Sequence, residues 1–155
     1  MFRPRWPLLQ RNLPAKYNPR CAAALGLDEP NVMHYGIAVG QSQLLEFAEK
    51  VGAKVYYFYR PTEVCIMSTR RRVVEALGKM CSWPNFKIKS ATVAVRHDMK
   101  MVVSLYTNYE LEKHILSRED ESRIAKQVQE AFGLNDEFRP MWFFGQGQWG
   151  PGMPE

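Results

Sequence analysis

Five consecutive residues form the clearest candidate for binding chemistry in this chain: Ser68, Thr69, Arg70, Arg71 and Arg72. The local pattern predicts that they begin a helix over residues 70–81. Backbone N–H groups, hydroxyls and guanidinium groups at a helix N-terminus can together hold an anion such as phosphate. Arginines in that position oppose the helix dipole unless an anion is bound. The alternative is a solvated basic turn whose side-chain stems cover apolar surface.

Basic and aromatic residues occur in two segments that a sheet would bring together. Lys87 and Lys89 lie in FKIKSATVAVRH (86–97), and the aromatic run is VYYFY (55–59). Basic groups beside aromatic rings are typical of single-stranded nucleic-acid binding. The RNA-recognition module needs aromatic residues in its third strand, and EVCIMST (63–69) has none. We therefore expect Lys87 and Lys89 to serve an anion or acidic-partner site, with nucleic acid as an open alternative. We expect the aromatic run to pack in the core or under the third helix.

The three histidines and three cysteines show no spacing typical of a metal site or a catalytic site. No serine or cysteine lies in a nucleophile elbow. The Gly145-Gln146-Gly147 segment lacks the strand and helix that flank a phosphate-binding loop. We therefore predict no catalytic residue, no metal and no cofactor, although small α+β folds also include enzymes without such motifs.

Proline and tryptophan are concentrated at the two ends of the chain. Residues 1–30 contain five of the ten prolines, and residues 140–155 contain three. Because proline disfavours helix interiors and sheet pairing, we predict that both ends are extended arms. Large aromatic side chains in these arms are candidate partner-binding residues: Trp6, Trp142, Phe143, Phe144 and Trp149. The alternative is that the C-terminal arm folds back and completes the core of its own sheet.

Between the arms, apolar periodicity predicts an α+β domain. Helices are predicted over 43–51, 70–81 and 118–132, the last capped by Ser117 and ended by Gly133. Strands are predicted over 33–40, 54–60, 63–69, 86–97 and 100–107. The first six elements follow the βαββαβ order of a ferredoxin-like split βαβ unit. This order predicts an antiparallel sheet with an added edge strand and a C-terminal helix. The predicted organisation is a basic arm (1–31), one domain (32–133) and an aromatic arm (134–155).

The net charge of +5 is unevenly distributed. Residues 1–20 contain five basic residues and no acidic residue, and residues 50–100 contain eleven basic and three acidic residues. Such regions favour acidic protein surfaces or polyanions. An odd number of cysteines is typical of a reducing compartment. No apolar run reaches the roughly 18 residues of a membrane span. We predict an intracellular protein that is not secreted, and a mitochondrial location stays open.

These features favour a non-enzymatic structural subunit of a multiprotein or ribonucleoprotein complex, anchored through its terminal arms. Extended arms bury much surface per residue, but the entropy cost of ordering them is offset only on a partner. Other protein subunits are therefore the expected partners, and a homo-oligomer stays open. The alternative is a small homodimeric enzyme or ligand-binding domain of the ferredoxin-like (α+β barrel) type, with a pocket between sheet and helices.

Overall fold

The computed structural model describes residues 8–9, 13–81, 89–95, 98–111 and 117–145, with the backbone alone at 8–9, 89–95 and 98–100. Its helices are α1 (Pro19–Ala24), α2 (Gln41–Lys50), α3 (Ile66–Cys81) and α4 (Arg118–Phe132), with 3-10 turns at Ala15–Tyr17 and Asn108–Glu110. Its strands are β1 (Leu8–Leu9), β2 (Met33–Val39), β3 (Tyr56–Tyr57), β4 (Arg60–Val64), β5 (Lys89–Val95), β6 (Asp98–Thr107) and β7 (Met141–Phe144). This mixture confirms the α+β class. None of these helices is long and apolar enough to cross a membrane.

Five strands form the main sheet, in the order β1-β7-β2-β6-β5, and all its pairs are antiparallel. The central strand is β2, which pairs with β7 on one side and with β6 on the other. Its register with β6 shifts between Tyr35 and Gly36. A Cβ atom built on Gly36 would lie 2.1 Å from the carbonyl oxygen of Val103. Only glycine therefore fits where the two backbones approach most closely.

The hydrophobic core lies between this sheet and the three longer helices. Alternate β2 residues, including Ile37 and Val39, belong to one cluster with buried residues of α2, α3 and α4. The rings of Phe47 on α2 and Phe132 on α4 pack with centroids 4.9 Å apart. Each helix buries one stripe of apolar side chains against the sheet. The removal of these side chains from water is the main contribution to stability. It contributes about 1.5–3 kcal/mol for each fully buried large side chain.

The ferredoxin-like order is not confirmed, because β3 and β4 form a separate two-stranded sheet. A split βαβ unit also places strands in parallel, whereas every described pair is antiparallel. Residues 66–69, predicted as the end of a strand, form the first turn of α3. Thr69, Val73 and Leu77 are its buried residues. Their spacing of four residues shows that helical periodicity begins before the arginines.

The C-terminal segment is part of the sheet, which corrects its prediction as a separate arm up to residue 145. Strand β7 pairs with β2 through Tyr35 and Trp142, and with β1 on its other side. Trp142 packs in a cluster with Tyr35, at a tilted angle of 50°, and edge-on with Tyr106, with centroid distances of 5.1 and 5.8 Å. Phe144 packs edge-on against Tyr17 at 5.6 Å. Residues 141–144 therefore agree with the alternative prediction, in which this segment completes the core of its own sheet.

The predicted N-terminal arm also contains regular structure, because proline is compatible with the first turn of a helix. Pro19 occupies the N1 position of α1, where its missing N–H group would have no partner within the helix. The Asn18 Oδ1 atom caps this helix by accepting hydrogen bonds from the backbone N–H groups of Arg20 (3.1 Å) and Cys21 (3.3 Å). Residues 19–24 are thus helical rather than extended.

Asn108 joins this N-terminal segment to the sheet. Its side chain is buried, and its Oδ1 atom accepts a hydrogen bond from the N–H group of Met33 at 2.9 Å. Its Nδ2 atom donates to the carbonyl oxygens of Tyr17 (2.8 Å) and Asn31 (2.9 Å). One amide therefore satisfies three backbone groups from separate parts of the chain.

Candidate functional site

The most exposed apolar residues of the described chain lie in the small second sheet. Strands β3 and β4 and the turn between them form a hairpin over residues 56–64, which we call the aromatic hairpin. Phe58 and Tyr59 occupy its turn and are 88% and 91% exposed. Tyr56 and Tyr57 on β3 are also exposed. Four adjacent large aromatic side chains are rarely exposed at a protein surface. Exposed apolar patches of this kind mark interaction sites.

The aromatic hairpin has a fixed base on α3. The carbonyl oxygen of Val55 accepts a hydrogen bond from the N–H group of Cys65 at 2.7 Å. The N–H group of Val55 donates to Oγ1 of Thr69, which is fully buried, at 3.0 Å. One backbone group of Val55 is thus tied to the residue that precedes α3, and the other to the first turn of α3. The exposed rings are therefore presented from an ordered base.

Cys65 lies at this base, directly before α3. Its Sγ atom is 3.3 Å from the Oγ atom of Ser68. Hydrogen bonds from the Ser68 side chain and backbone, and from the Tyr57 hydroxyl, lower the pKa of the Cys65 thiol because they stabilise the thiolate. The same contact with Cys65 raises the pKa of Tyr57. Cys65 is therefore the described cysteine whose environment favours thiolate formation.

The predicted group of residues 68–72 does not form a single binding site. Since α3 begins at Ile66, the three arginines lie beyond its first turn, away from its free N–H groups. The Thr69 hydroxyl is buried against Val55, and the Ser68 hydroxyl contacts Cys65. Arg70 is half-buried with Nη1 3.8 Å from the Met67 Sδ atom, and this burial lowers its pKa. Anion binding here stays a prediction that rests on Arg71 and Arg72, which are both exposed.

The two lysines of the predicted site lie elsewhere. Lys87 is outside the described residues. Lys89 begins β5, the edge strand of the main sheet, where it pairs with Ser104. The aromatic hairpin belongs to the other sheet. The sequence-based grouping of Lys89 with strand 54–60 depended on a shared sheet, and that premise is wrong.

The aromatic residues predicted to bind a partner have a different position from the one expected. Trp142, Phe143 and Phe144 are 0%, 5% and 2% exposed, so they have almost no surface for a partner. Trp6 and Trp149 lie outside the described residues.

The aromatic run at 56–59 is exposed, and its predicted position in the core or under the third helix is wrong. Pro61 was the available signal, because proline restricts its segment to a sheet edge and argues against a central strand.

Other chemistry in the described part of the chain is limited. Among these residues, no group of three or more histidine, cysteine or acidic side chains could hold a metal ion. A cleft of about 320 Å³ lies between α2 and α4, lined by Glu46, Lys50, Glu130 and Phe132 among others. Its lining contains charged groups but no cysteine, serine or histidine. The aromatic hairpin is therefore the stronger candidate site.

Comparison with protein-family models, with curated proteins and with solved structures gives no match to this chain.

Proposed function

We propose that this chain is a non-enzymatic subunit of a larger protein or ribonucleoprotein assembly, and that it joins the assembly through the aromatic hairpin. The observation that carries this proposal is the almost complete exposure of Phe58 and Tyr59 on a hairpin whose base is fixed to α3. Aromatic side chains that become buried at an interface are its usual energetic centres, at about 2 kcal/mol or more each.

The fixed base strengthens this proposal. A binding element that is already ordered loses less conformational entropy when it docks, so more of the burial energy appears as affinity. The two backbone hydrogen bonds of Val55 hold the hairpin before any partner arrives. A surface loop that exposed apolar side chains without a binding role would not need these hydrogen bonds.

The hairpin replaces part of the role first expected of the arms. Trp142, Phe143 and Phe144 stabilise the chain's own sheet. Binding through Trp6 and Trp149 stays a prediction, as do a reducing or mitochondrial compartment and nucleic-acid contact. The homodimeric enzyme or ligand-binding domain of ferredoxin-like type remains the alternative proposal.

Sedimentation of native assemblies tests the proposal. A tagged copy of the full chain, expressed in cells of its source, should sediment well ahead of the free 18.0 kDa chain. The double variant Phe58→Ser/Tyr59→Ser should sediment as free chain, because it removes the exposed rings without touching the core. The matched control is Leu25→Ser/Leu27→Ser, which removes two exposed apolar side chains outside the hairpin.

Co-sedimentation of the hairpin variant with the wild-type assembly would refute the proposed role of the hairpin. A purified wild-type chain that forms a stable homodimer, unaffected by the hairpin substitutions, would favour the alternative function. The thermal unfolding midpoint of each variant shows whether the fold is intact.

A further inference from the structure

The surface around the aromatic hairpin has an excess of positive charge. Residues 54–72 contain five basic side chains and one acidic side chain. Two of the basic groups are already paired, Arg60 with Glu63 at 3.3 Å and Lys54 with Glu49 at 3.4 Å. Within the described residues, no ion pair includes Arg71 or Arg72. These two guanidinium groups are therefore available to carboxylates or phosphates of a partner.

Apolar and cationic groups are adjacent on α3. Met67 is 65% exposed in the first turn, and Arg71 follows it by four residues. Residues at this spacing lie on the same face of a helix. A partner that covers Met67 therefore also lies close to Arg71.

The ring geometry of the hairpin is poorly suited to successive stacked bases. The planes of Phe58 and Tyr59 are nearly perpendicular, at 86°, with centroids 5.2 Å apart. The edge of one ring is thus directed at the face of the other, which removes a stacking surface. Single-strand binding instead uses open aromatic faces on which successive bases stack.

The composition of the patch is that of a protein interface. Aromatic residues, methionine and arginine are enriched at the centres of such interfaces, whereas lysine is depleted. The exposed residues of this patch include Tyr56, Tyr57, Phe58, Tyr59, Met67, Arg71 and Arg72, beside the exposed Arg60, Pro61, Thr62 and Glu63 of β4.

We infer that the aromatic hairpin and the exposed Arg71 and Arg72 of α3 bind an acidic protein segment that carries apolar side chains. This inference rests on the proposed function and adds the chemistry of the partner. Apolar side chains of the segment pack between the hairpin rings and Met67, and its carboxylates pair with Arg71 and Arg72. The basic patch also accelerates encounter with an acidic partner, and this effect weakens as salt rises.

A phage-displayed library of random 16-residue peptides, selected on the immobilised full chain, tests the inference. Enriched peptides should combine several Asp or Glu residues with aliphatic or aromatic residues. For these peptides, Phe58→Ser/Tyr59→Ser should weaken binding by about tenfold or more, and Arg71→Gln/Arg72→Gln by about three- to tenfold. The matched control, Arg118→Gln/Lys126→Gln, removes two exposed cations from α4 and should leave binding unchanged. A fluorescent 20-nucleotide poly-uridine RNA is measured in parallel.

The outcomes separate the inference from the proposed function. Neutral or basic peptides whose binding depends on the hairpin would overturn the acidic chemistry and leave a protein-binding hairpin intact. Hairpin-dependent binding of the RNA alone would overturn the inference in favour of a ribonucleoprotein role. Peptides that bind the wild type and the Phe58→Ser/Tyr59→Ser variant equally would overturn the inference, and unchanged sedimentation of the same variant would then overturn the proposed function.

Discussion

Replacement of Asn108 by leucine should destabilise the fold by about 2–4 kcal/mol. The substitution leaves three backbone groups without their partner: the N–H group of Met33 and the carbonyl oxygens of Tyr17 and Asn31. An orphaned buried group costs about 1–3 kcal/mol, and the two part-buried carbonyls cost less because water can reach them. A domain is typically stable by about 5–15 kcal/mol, so this loss is a large fraction of the total.

Urea unfolding of the full chain, followed by tryptophan fluorescence, measures this loss. The control is Asn135→Leu, because Asn135 accepts its hydrogen bond from Glu137 at an exposed site, and it should cost less than about 1 kcal/mol. A free energy of unfolding for Asn108→Leu within about 0.5 kcal/mol of wild type would refute the bridging role of Asn108.

The variant Asn108→Asp keeps the hydrogen-bond acceptor of this side chain and removes its N–H donors. Its carboxyl oxygen can still accept from Met33, but an ionised carboxylate faces two carbonyl oxygens where the amide donated. Only the protonated carboxyl can donate, so protonation is favoured in the folded state. Stability relative to wild type should therefore be greater at pH 4 than at pH 7, and be lost as the pH rises. A pH-independent difference would contradict this account.

Three further predictions concern the core, the sheet and the thiols. Trp142→Ala should cost about 3–5 kcal/mol. Since the Trp142 indole N–H makes no hydrogen bond within the described residues, Trp142→Phe should cost clearly less, and equal losses in urea unfolding would show that the N–H group has a partner. Gly36→Ala should give little folded protein by circular dichroism, because its Cβ meets the Val103 carbonyl at 2.1 Å, and a wild-type melting temperature would contradict that contact. Iodoacetamide should alkylate Cys65 faster than Cys81 at pH 7, since hydrogen bonds lower the pKa of Cys65 and burial raises that of Cys81. Mass spectrometry measures both alkylation rates. Ser68→Ala should shift the pH dependence of Cys65 alkylation to higher pH. An unchanged pH dependence would exclude the Ser68 contact as the cause of the lowered pKa.

Local interactions made several elements predictable. The helix over 118–132 is confirmed with its expected ends, because Ser117 Oγ accepts from the Asp120 N–H group at 3.1 Å and Gly133 adopts a left-handed φ of 63°. The strands predicted over 33–40 and 100–107 are observed as β2 and β6 with shifts of one or two residues. Caps and apolar periodicity involve neighbours within about one helical turn, so the sequence contains all the information that they need.

The candidate site was not predictable in the same way. The buried Thr69 and the exposed Arg71 lie in one helix that begins four residues earlier than expected. Within its first turn, Thr69 contacts Val55, which lies 14 positions earlier in the chain. The Thr69 hydroxyl, which the sequence predicted to contact an anion, instead holds the hairpin through Val55.

Two aromatic runs show what the sequence determined alone and what required the tertiary structure. By itself, the sequence identified YYFY (56–59) and MWFF (141–144) as two runs of large aromatic and apolar residues. It placed the first in the core or under the third helix, and it left the second open between a partner and the chain's own sheet. The structure exposes the first run, against expectation, and buries the second in the main sheet. Residues 141–144 pair with β1 and β2, more than 100 residues away in the chain, whereas Pro61 and a two-residue turn limit YYFY to its own hairpin. Long-range strand pairing decides which run is buried, and no local pattern contains that pairing.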